Sequence, residues 1–549
     1  MTRITLALGS SAALIASAAA LAQTSIVTGP SSSATPYVRP VGSKVTDIHS
    51  IITVGDTAPN GYLTVGIMDG MGAYMAGNGT MDLFIDHELT ATAGNLIQRA
   101  HQTGTAFAGG AFISKWNITT TPGANFLRVN SGADAMLSVA TTTNGTGGSL
   151  YNFARFCSGD VPEVRALFNA QTGKGSQNRF FVCGEESGTP GRMIATDLNT
   201  GVVYQMPAFD PSAGSWENGL ARPFESDQTV VIGLSDGGAN RVFVYVGTKQ
   251  DTGNPAERAG LMNGTSYGIQ VRVAGTAVAS ESRTSGFNAS GKPAFSGTFT
   301  LATGGTAAGT TFLRPEDGAW DPANPADFYF VTTDRMSTTS GGAAQSHASR
   351  LYRLRFSDVN NVLAGGTIEA LLDGTDVMEM GDNLAVYNDL QGGTRVMLQE
   401  DPGGHPHSAK TLLYTVATDT VEVVMQSDTA RFGAPGVPAT APFNIDEENS
   451  GVFDARDTLG LGWFVGNMQA HYAIANPIVE GGQLYAFFCP ECVGSTRADL
   501  SATLDGIVGG DDLAVLLGNW GGTGRSDINR DGTTNGEDLT ALLAAWNTK

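Results

Sequence analysis

Short strand-like runs that end in acidic residues recur along this chain and restrict it to a β-rich fold. The run RFFVCGEE places five strand-forming residues and a glycine before Glu185 and Glu186. Runs of the same kind end at Glu88, Asp334 and Asp401. Such strands bring their acids to one end of a radial or barrel-like β structure, where carboxylates repel one another unless cations lie among them. The pattern predicts a calcium-rich metal cluster in an all-β domain, although acids also flank strands simply because turns are polar.

The spacing of strands and turns indicates a closed, repeated β architecture. The chain has 549 residues, of which 72 are glycine, and strand-like runs alternate with tight-turn signals over residues 45–488. A β-propeller accommodates a domain of this length, whereas a sandwich is usually shorter. We therefore predict an all-β propeller.

The charge of the chain restricts its partners. Asp and Glu number 52 against 31 Lys and Arg, which gives a formal net charge of −21. This excess of acid argues against binding to the phosphate backbone of a nucleic acid. It suits a secreted protein that binds divalent cations through oxygen ligands, and it also keeps a protein soluble by self-repulsion.

The N-terminus predicts export. Arg3 precedes an apolar, alanine-rich stretch that ends in a small-x-small pattern at Ala22, which is typical of a Sec-type signal peptide spanning residues 1–22. Residues 23–44 are polar and predict a flexible lead-in. No later run approaches about 18 apolar residues, so we expect a secreted or periplasmic protein without a membrane span.

The cysteines leave several pairings open. There are four of them, Cys157, Cys183, Cys489 and Cys492, and four cysteines allow three pairings. The CxxC spacing of the last two predicts either a local disulfide or two free thiols, because a zinc ribbon needs a second such pair. Residues 489–496 are interpreted as a linker to a C-terminal module at 497–549.

The C-terminal module contains a calcium-binding pattern. Oxygen-bearing side chains stand at the positions that a calcium loop requires, with Gly532 at the sharp turn and a helical run directly after. An earlier copy of the loop has two extra residues between Asp499 and Asp505, which argues against calcium there. The pair of loop–helix repeats resembles a type I dockerin module, which implies a small helical unit and a cohesin-like partner. The predicted calcium ligands are Asp527, Asn529, Asp531, Asn535 and Asp538.

A second resemblance covers roughly residues 45–488. The segments GYLTVGIMDGMGAY, LFIDHEL, FFVCGEE, RPEDGAWDP, GDNLAVYND and ENSGVF occur in that order. Together they resemble the PhoX-type alkaline phosphatases. The resemblance implies a six-bladed β-propeller with calcium and iron (Fe³⁺) ions at its centre, hydrolysing phosphate monoesters.

The resemblance also assigns roles to individual residues. Arg314 matches the phosphate-binding arginine, and its place two residues before Glu316 suits phosphate binding beside a metal, although an ordinary ion pair would look the same. Asp236 is a further metal-ligand candidate, since it is a carboxylate next to a glycine-rich turn. The carboxylates that match the family's metal site are Glu88, Glu185, Glu186, Glu316, Asp382 and Glu448.

Cys183 departs from the family pattern. In the family a cysteine directly precedes the paired glutamates and ligates iron, but here Gly184 lies between Cys183 and Glu185. In a strand this offset turns the thiol to the opposite face unless a bulge restores it. Without the thiolate, the site consists mainly of hard oxygen ligands, which favours calcium over iron.

These patterns favour a secreted metal-dependent phosphatase that acts on a phosphorylated small molecule. One alternative is a calcium-dependent propeller esterase or lactonase. Another is a non-catalytic, calcium-stabilised propeller that serves as a binding module tethered through its dockerin-like tail. Arg314 beside Glu316 favours phosphate chemistry, whereas the shifted Cys183 favours the alternatives.

Overall fold

The structure is a computed structural model, and it describes most of the chain outside the first 23 residues. The predicted signal peptide and Asp334 lie outside the described part. The described residues are 24–102, 109–140, 152–187, 191–209, 215–281, 296–305, 308–333, 349–372, 378–403, 407–501, 504–529 and 531–547.

The first half of the chain forms three N-terminal strands and three blades of antiparallel sheet. The N-terminal strands are β1 (Ser25–Thr28), β2 (Val38–Pro40) and β3 (Asp47–Thr53). Blade 1 contains β4 (Met68–Gly77), β5 (Thr80–His87), β6 (Phe112–Thr119) and β7 (Val129–Asp134). Blade 2 and its insertion contain β8 (Ser138–Val139), β9 (Gly159–Asp160), α1 (Val164–Leu167), β10 (Phe168–Asn169), β11 (Lys174–Gly175), β12 (Phe180–Gly184), β13 (Met193–Asp197) and β14 (Val202–Gln205). Blade 3 contains β15 (Trp216–Ala221), β16 (Gln228–Ser235), β17 (Arg241–Thr248), α2 (Pro255–Arg258), β18 (Thr265–Val273) and β19 (Thr276–Ala277).

The second half adds three further blades. Blade 4 contains β20 (Gly297–Ala302), β21 (Pro315–Trp320), β22 (Asp327–Thr332), β23 (Arg350–Phe356), a 3₁₀ turn (Val362–Ala364) and β24 (Gly366–Leu372). Blade 5 contains β25 (Gly381–Asn388), β26 (Thr394–Glu400), β27 (Lys410–Thr415), β28 (Thr420–Ser427) and the short helix α3 (Thr429–Phe432). Blade 6 contains β29 (Glu447–Asp454), β30 (Trp463–Ala473) and β31 (Glu480–Phe488).

The blades close into a ring, which confirms the predicted propeller and gives it six blades. The innermost strands β4, β9, β15, β21, β25 and β29 contact one another in this order, and β29 returns to β4. Blades 3 and 4 also share a continuous sheet, because β20 pairs with both β18 and β24. The innermost strands therefore surround a central channel.

The N-terminal strands close the ring, so residues 24–44 are not the flexible lead-in that their polar composition predicts. β3 pairs antiparallel with β31, β1 adds to β3 in parallel, and β2 adds to the outer edge of blade 5. The chain thus begins and ends its propeller in the same blade. Backbone pairing, which composition does not report, fixes this segment.

Apolar side chains fill the six interfaces between neighbouring blades. Strand β12 shows how alternation serves two interfaces at once. Phe180 and Val182 pack toward blade 3, whereas Phe181 and Cys183 pack toward blade 1. A strand that is buried on both faces reads as a continuous apolar run, as this one does.

The C-terminal module packs directly on blade 6. It contains the helices α4 (Gly510–Gly518) and α5 (Gly536–Ala544). The predicted linker is folded: Cys489 and Cys492 form a disulfide beside a 3₁₀ turn (Glu491–Val493), and both cysteines lie in the apolar cluster of blades 5 and 6. Leu504 from the first loop is buried in the same cluster. Among the described residues, no helix has the length and apolar character needed to cross a membrane.

Candidate metal centre

Five innermost strands are preceded by a residue in the left-handed conformation, and the residue two positions later points to the centre of the ring. In five blades, a non-glycine residue with φ between 49° and 52° comes immediately before the strand or the strand-like entry, and the ligand candidate follows two positions later. Such left-handed residues are uncommon and cluster at functional sites. The five pairs are Ile67 and Asp69, Arg155 and Cys157, Ser215 and Glu217, Arg314 and Glu316, and Met380 and Asp382.

A second set of acids comes from the neighbouring strands. Glu88, Glu186, Asp236 and Asp401 follow the ends of β5, β12, β16 and β26, each the strand next to the innermost one. Because neighbouring strands are antiparallel, the end of one lies beside the start of the other. Both sets therefore meet at the same end of the channel. Blade 6 adds Glu448, the second residue of β29.

Three carboxylates form a group made only of oxygen donors, here called the oxygen triad. One carboxylate oxygen each from Glu217, Glu316 and Asp382 lie within 4.8 Å of one another. Burial raises the pKa of all three groups well above the usual value, and repulsion by neighbouring carboxylates raises it further. Like charges at this separation are stable only if protons or cations compensate them.

A second group, here called the thiol triad, combines Glu88, Cys157 and Glu186, whose donor atoms also lie within 4.8 Å of one another. The Cys157 thiol donates to Glu186 Oε2 at 2.9 Å. Burial raises the pKa of Cys157 well above its usual value, and it raises the pKa of Glu88 to about 7 against the opposing effect of Arg155. Arg155 donates from Nε to Glu186 Oε2 at 2.8 Å and also forms an ion pair with Glu88.

Arg314 lies at the edge of the oxygen triad. Its guanidinium contacts Glu316 Oε1 at 2.8 Å and Asp236 Oδ2 at 3.0 Å through Nη2. Both carboxylates are buried, whereas 43% of the Arg314 side chain is exposed. The negative charge of Glu316 raises the pKa of Arg314, so the guanidinium stays charged at every physiological pH.

The part of the centre next to blade 6 is organised by hydrogen bonds. Gln469 Nε2 donates to Asp69 Oδ2 at 3.0 Å and to Glu448 Oε1 at 3.1 Å. Burial opposes the ionisation of Glu448, but the hydrogen bond and charge of His471, together with hydrogen bonds from Ser450 and Asp382, outweigh it and hold the Glu448 pKa below its usual value. Burial and the nearby charge of Glu448 raise the pKa of Asp401 to about 7.

Two of the sequence-predicted site residues lie elsewhere. The Glu185 carboxylate accepts hydrogen bonds from Nε and Nη2 of Arg192. It also accepts from the backbone amides of Ala154 and Arg192. Cys183 is fully buried in the apolar cluster between blades 1 and 2. The pairing of β12 with β13 runs in continuous register through Gly184, so no bulge turns this thiol toward the carboxylates.

The structure brings the other predicted residues together and adds some that sequence reasoning missed. Glu88, Glu186, Asp236, Glu316, Asp382, Glu448 and Arg314 all lie around the two triads. The additional residues are Asp69, Arg155, Cys157, Glu217 and Asp401. The spacing Arg155-Phe-Cys157, which repeats Arg314-Pro-Glu316, is the signal that could have identified two of them.

A polar layer separates the metal centre from the rest of the channel. Asn218 Nδ2 donates to Ser158 and Asp317, and Asn383 Nδ2 donates to Asp69 and Ser158. Four members of this layer directly follow the ligand candidates of their strands, namely Ser158, Asn218, Asp317 and Asn383. Beyond them the channel widens into a cavity of about 410 Å³.

The C-terminal loop has its predicted oxygens in a compact arrangement. Asp527 accepts from the amides of Asp531 and Gly532 at 3.1 and 2.9 Å. Asp538 accepts from the amides of Asn529 and Asn535, and Asn535 also caps α5.

The first C-terminal loop follows the same plan with fewer oxygens. Asp499 accepts from the Gly506 amide, as Asp527 does from that of Gly532. Gly509 stands at the N-cap of α4, where the second loop has an asparagine. Leu504, just before Asp505 in this loop, packs into the apolar cluster of blades 5 and 6.

Comparisons with known proteins show the fold and not the family. No family model matches the sequence, and no curated protein matches it. Pseudomonas fluorescens PhoX, solved with the transition state analogue vanadate, is 10% identical with a TM-score of 0.50, over 86% of this chain and 99% of that chain. An α-L-arabinanase from Penicillium chrysogenum is 10% identical (TM-score 0.38; 79% and 97% covered). An α-L-arabinofuranosidase from Fusarium graminearum is 8% identical (TM-score 0.38; 78% and 95% covered). The likeness to PhoX shows that the two chains share a β-propeller fold.

Proposed function

We propose that the chain is an exported phosphatase that hydrolyses phosphate esters at the metal centre of its propeller. The observation that carries this proposal is a buried carboxylate cluster with a half-exposed arginine at its edge. Arg314 holds Asp236 and Glu316 and still presents donors that can bind a second anion. Carboxylates that gather cations, beside an arginine that binds anions, are the groups that phosphoryl transfer requires. The vanadate bound to PhoX, on the same fold, supports this proposal.

The donor sets suit metals of different kinds. The oxygen triad of Glu217, Glu316 and Asp382 suits calcium, because hard cations prefer carboxylate oxygens. The thiol triad has the donor set for iron, but Arg155 already contacts its carboxylates. A bound metal would polarise a phosphoryl oxygen and favour an attacking hydroxide.

The chain's own residues would bind and orient the ester. Arg314 would hold the equatorial phosphoryl oxygens and stabilise the charge that develops on them. His471 keeps Glu448 ionised, so that this carboxylate remains a ligand rather than a proton donor. Burial of the carboxylates limits water access and strengthens both interactions.

The C-terminal module would bind one calcium ion at its second loop and resembles a dockerin, for which a cohesin-like domain would be the partner. The signal-peptide pattern and the disulfide between Cys489 and Cys492 support export to an oxidising compartment. Tethering through this module would place the phosphatase on a larger extracellular assembly.

A panel of substrates tests the proposal against its alternatives. The exported protein is loaded with calcium and iron and assayed with p-nitrophenyl phosphate, p-nitrophenyl acetate and a γ-lactone, before and after EDTA. We expect turnover of the phosphate alone and its loss with EDTA. Turnover of the acetate or lactone without the phosphate would identify an esterase or lactonase. No turnover of any substrate would leave the non-catalytic binding module.

A further inference from the structure

The guanidinium of Arg155 contacts every member of the thiol triad. It donates to Glu186 Oε2 through Nε and Nη2 and forms an ion pair with Glu88 Oε1 through Nη2. The same Nη2 lies 3.8 Å from Cys157 Sγ. The guanidinium therefore lies where a metal bound to these three side chains would have to lie.

The backbone fixes this arrangement. The Arg155 amide donates to the carbonyl of Leu89, the residue after Glu88, at 2.8 Å. The Arg155 carbonyl accepts from the amide of Glu186, also at 2.8 Å. Arg155 is thus tied to both segments that supply the carboxylates, and it is not a surface side chain that happens to reach them.

Arg314 occupies the corresponding position of its own strand but relates differently to its triad. Its hydrogen bonds and ion pairs in the described structure go to Asp236 and Glu316. Among the described residues, Glu217 and Asp382 form no ion pair with a lysine or an arginine. The oxygen triad therefore still needs a cation to balance its charge, whereas Arg155 already balances the charge of the thiol triad.

We propose that Arg155 is the resident cation of the thiol triad and excludes iron and other thiophilic metals from it, so that the oxygen triad is the part of the centre that loads a metal. A guanidinium stays protonated at every accessible pH and repels a metal ion a few ångströms away. The Cys157 thiol donates a hydrogen bond to Glu186 Oε2 at 2.9 Å, whereas metal ligation requires the thiolate. The inference rests on the proposed metal centre, and its test reads metal content, so it can fail independently of phosphatase activity.

The test replaces each arginine by the uncharged, similarly long methionine. Wild type, Arg155→Met and Arg314→Met are refolded with equal calcium and Fe³⁺, and bound metals are counted by mass spectrometry. Thiolate-to-iron charge transfer is read by visible absorption. We expect no charge-transfer band in wild type and Arg314→Met, and a charge-transfer band with about one more iron per chain than wild type in Arg155→Met. Cys157→Ser added to Arg155→Met should abolish the band.

Iron with a thiolate band in the wild-type protein would overturn the proposal, and this result does not depend on any variant folding. Arg155→Met with native circular dichroism but no more iron than wild type would also overturn it. Arg155→Lys keeps the charge, so it should exclude iron as wild type does. Iron uptake by a folded Arg155→Lys protein would show that the positive charge is not what excludes the metal.

Discussion

Arg155 and Arg314 precede their innermost strands with nearly the same φ, 52° and 49°, but they neutralise different groups. Each side chain is about two-fifths exposed, at 41% and 43%, so each reaches both the buried carboxylates and the solvent. Arg155 contacts all three members of the thiol triad, whereas Arg314 contacts only Glu316 of the oxygen triad. The difference between them lies in the residue two positions later.

Replacing Arg314 by alanine should reduce phosphatase activity strongly. The substitution removes donors aimed at the phosphoryl oxygens, a loss that costs about 10²–10³-fold in kcat for comparable sites. Steady-state kinetics on p-nitrophenyl phosphate measure the effect. Arg272→Ala, on an outer strand of blade 3, is the matched control and should retain full activity. An unchanged kcat/KM in Arg314→Ala would remove the proposed role.

Glu217→Gln should act in opposite directions on the metal-free and calcium-loaded protein. It removes one charge from a group of carboxylates that repel each other. The metal-free protein should therefore be more stable than wild type, because fewer buried like charges repel one another. Calcium affinity should fall about tenfold or more. Thermal unfolding with EDTA and with calcium measures both effects, and a loss of stability in EDTA would contradict this account.

The sequence indicated part of this site and concealed the rest for physical reasons. Glu316 and Asp382 carry local motifs, and the structure places them in one triad. Glu217 has no comparable motif, because its partners come from other blades and meet only when the ring closes. Cys157 escaped attention since β9, the strand it precedes, has only two residues. Cys183 drew the thiolate assignment only because it stands close to Glu185 and Glu186.

At the scale of the element, the start of each innermost strand positions the ligands. In four of these strands the acid lies within a register irregularity near the start of the strand, so that the acid and its successor both face the channel. A regular strand would send one of them to the opposite face. These irregularities depend on pairing between strands, which periodicity in a single sequence does not report.

Gly184→Ala should destabilise the protein near the centre. A Cβ there would lie 2.4 Å from both Cβ and the carbonyl oxygen of Trp216, in the adjacent innermost strand. Such overpacking costs about 1–3 kcal/mol, which urea unfolding can measure. Gly518→Ala is the control, because open space surrounds that helical position and alanine favours helix. Equal stability of the two variants would mean that β12 and β15 separate freely.

Equivalent aspartates in the two C-terminal loops should differ in their effect on calcium binding. Asp531 and Asp505 each precede the glycine of their loop, at φ 98° and 78°. Only the second loop has a full set of oxygens. Calcium should protect the module from limited proteolysis in wild type and Asp505→Asn but not in Asp531→Asn. Equal loss of protection in both variants would contradict the assignment of a single site.

At the scale of the whole molecule, closure of the ring produces the centre. Even spacing of strands and glycine-rich turns was enough to predict an all-β propeller, because alternation and turn chemistry are local signals. The sequence did not reveal that the N-terminal strands complete the closure, since β3 and β2 pair with β31 and β28, which lie at the other end of the chain. The repulsive cluster at the centre is therefore sustained by the packing of six interfaces around it.

The metal-free protein should lose stability as pH rises, and calcium should restore it. Burial raises the folded-state pKa of Glu88 and Asp401 to about 7, above their values in an unfolded chain. The folded state therefore binds more protons between about pH 4 and 7, and its stability falls across that window. His87, whose pKa burial lowers to about 3, opposes this trend, as do His49 and Glu448, whose pKa values are also lowered. The carboxylates of the centre with raised pKa values outnumber these groups.

Thermal unfolding at pH 5.5 and pH 8 measures this dependence. EDTA should lower the melting temperature more at pH 8, where the carboxylates are charged and depend on cations. An equal effect of EDTA at the two pH values would mean that these carboxylates are not the groups that calcium compensates.

The central claim is that calcium at the oxygen triad supports phosphate-ester hydrolysis. The most direct test follows phosphate release from p-nitrophenyl phosphate while calcium is added back to the EDTA-stripped protein. Activity should rise from background and saturate as the centre fills. A folded protein that releases no phosphate at any calcium concentration, with or without added iron, would contradict it.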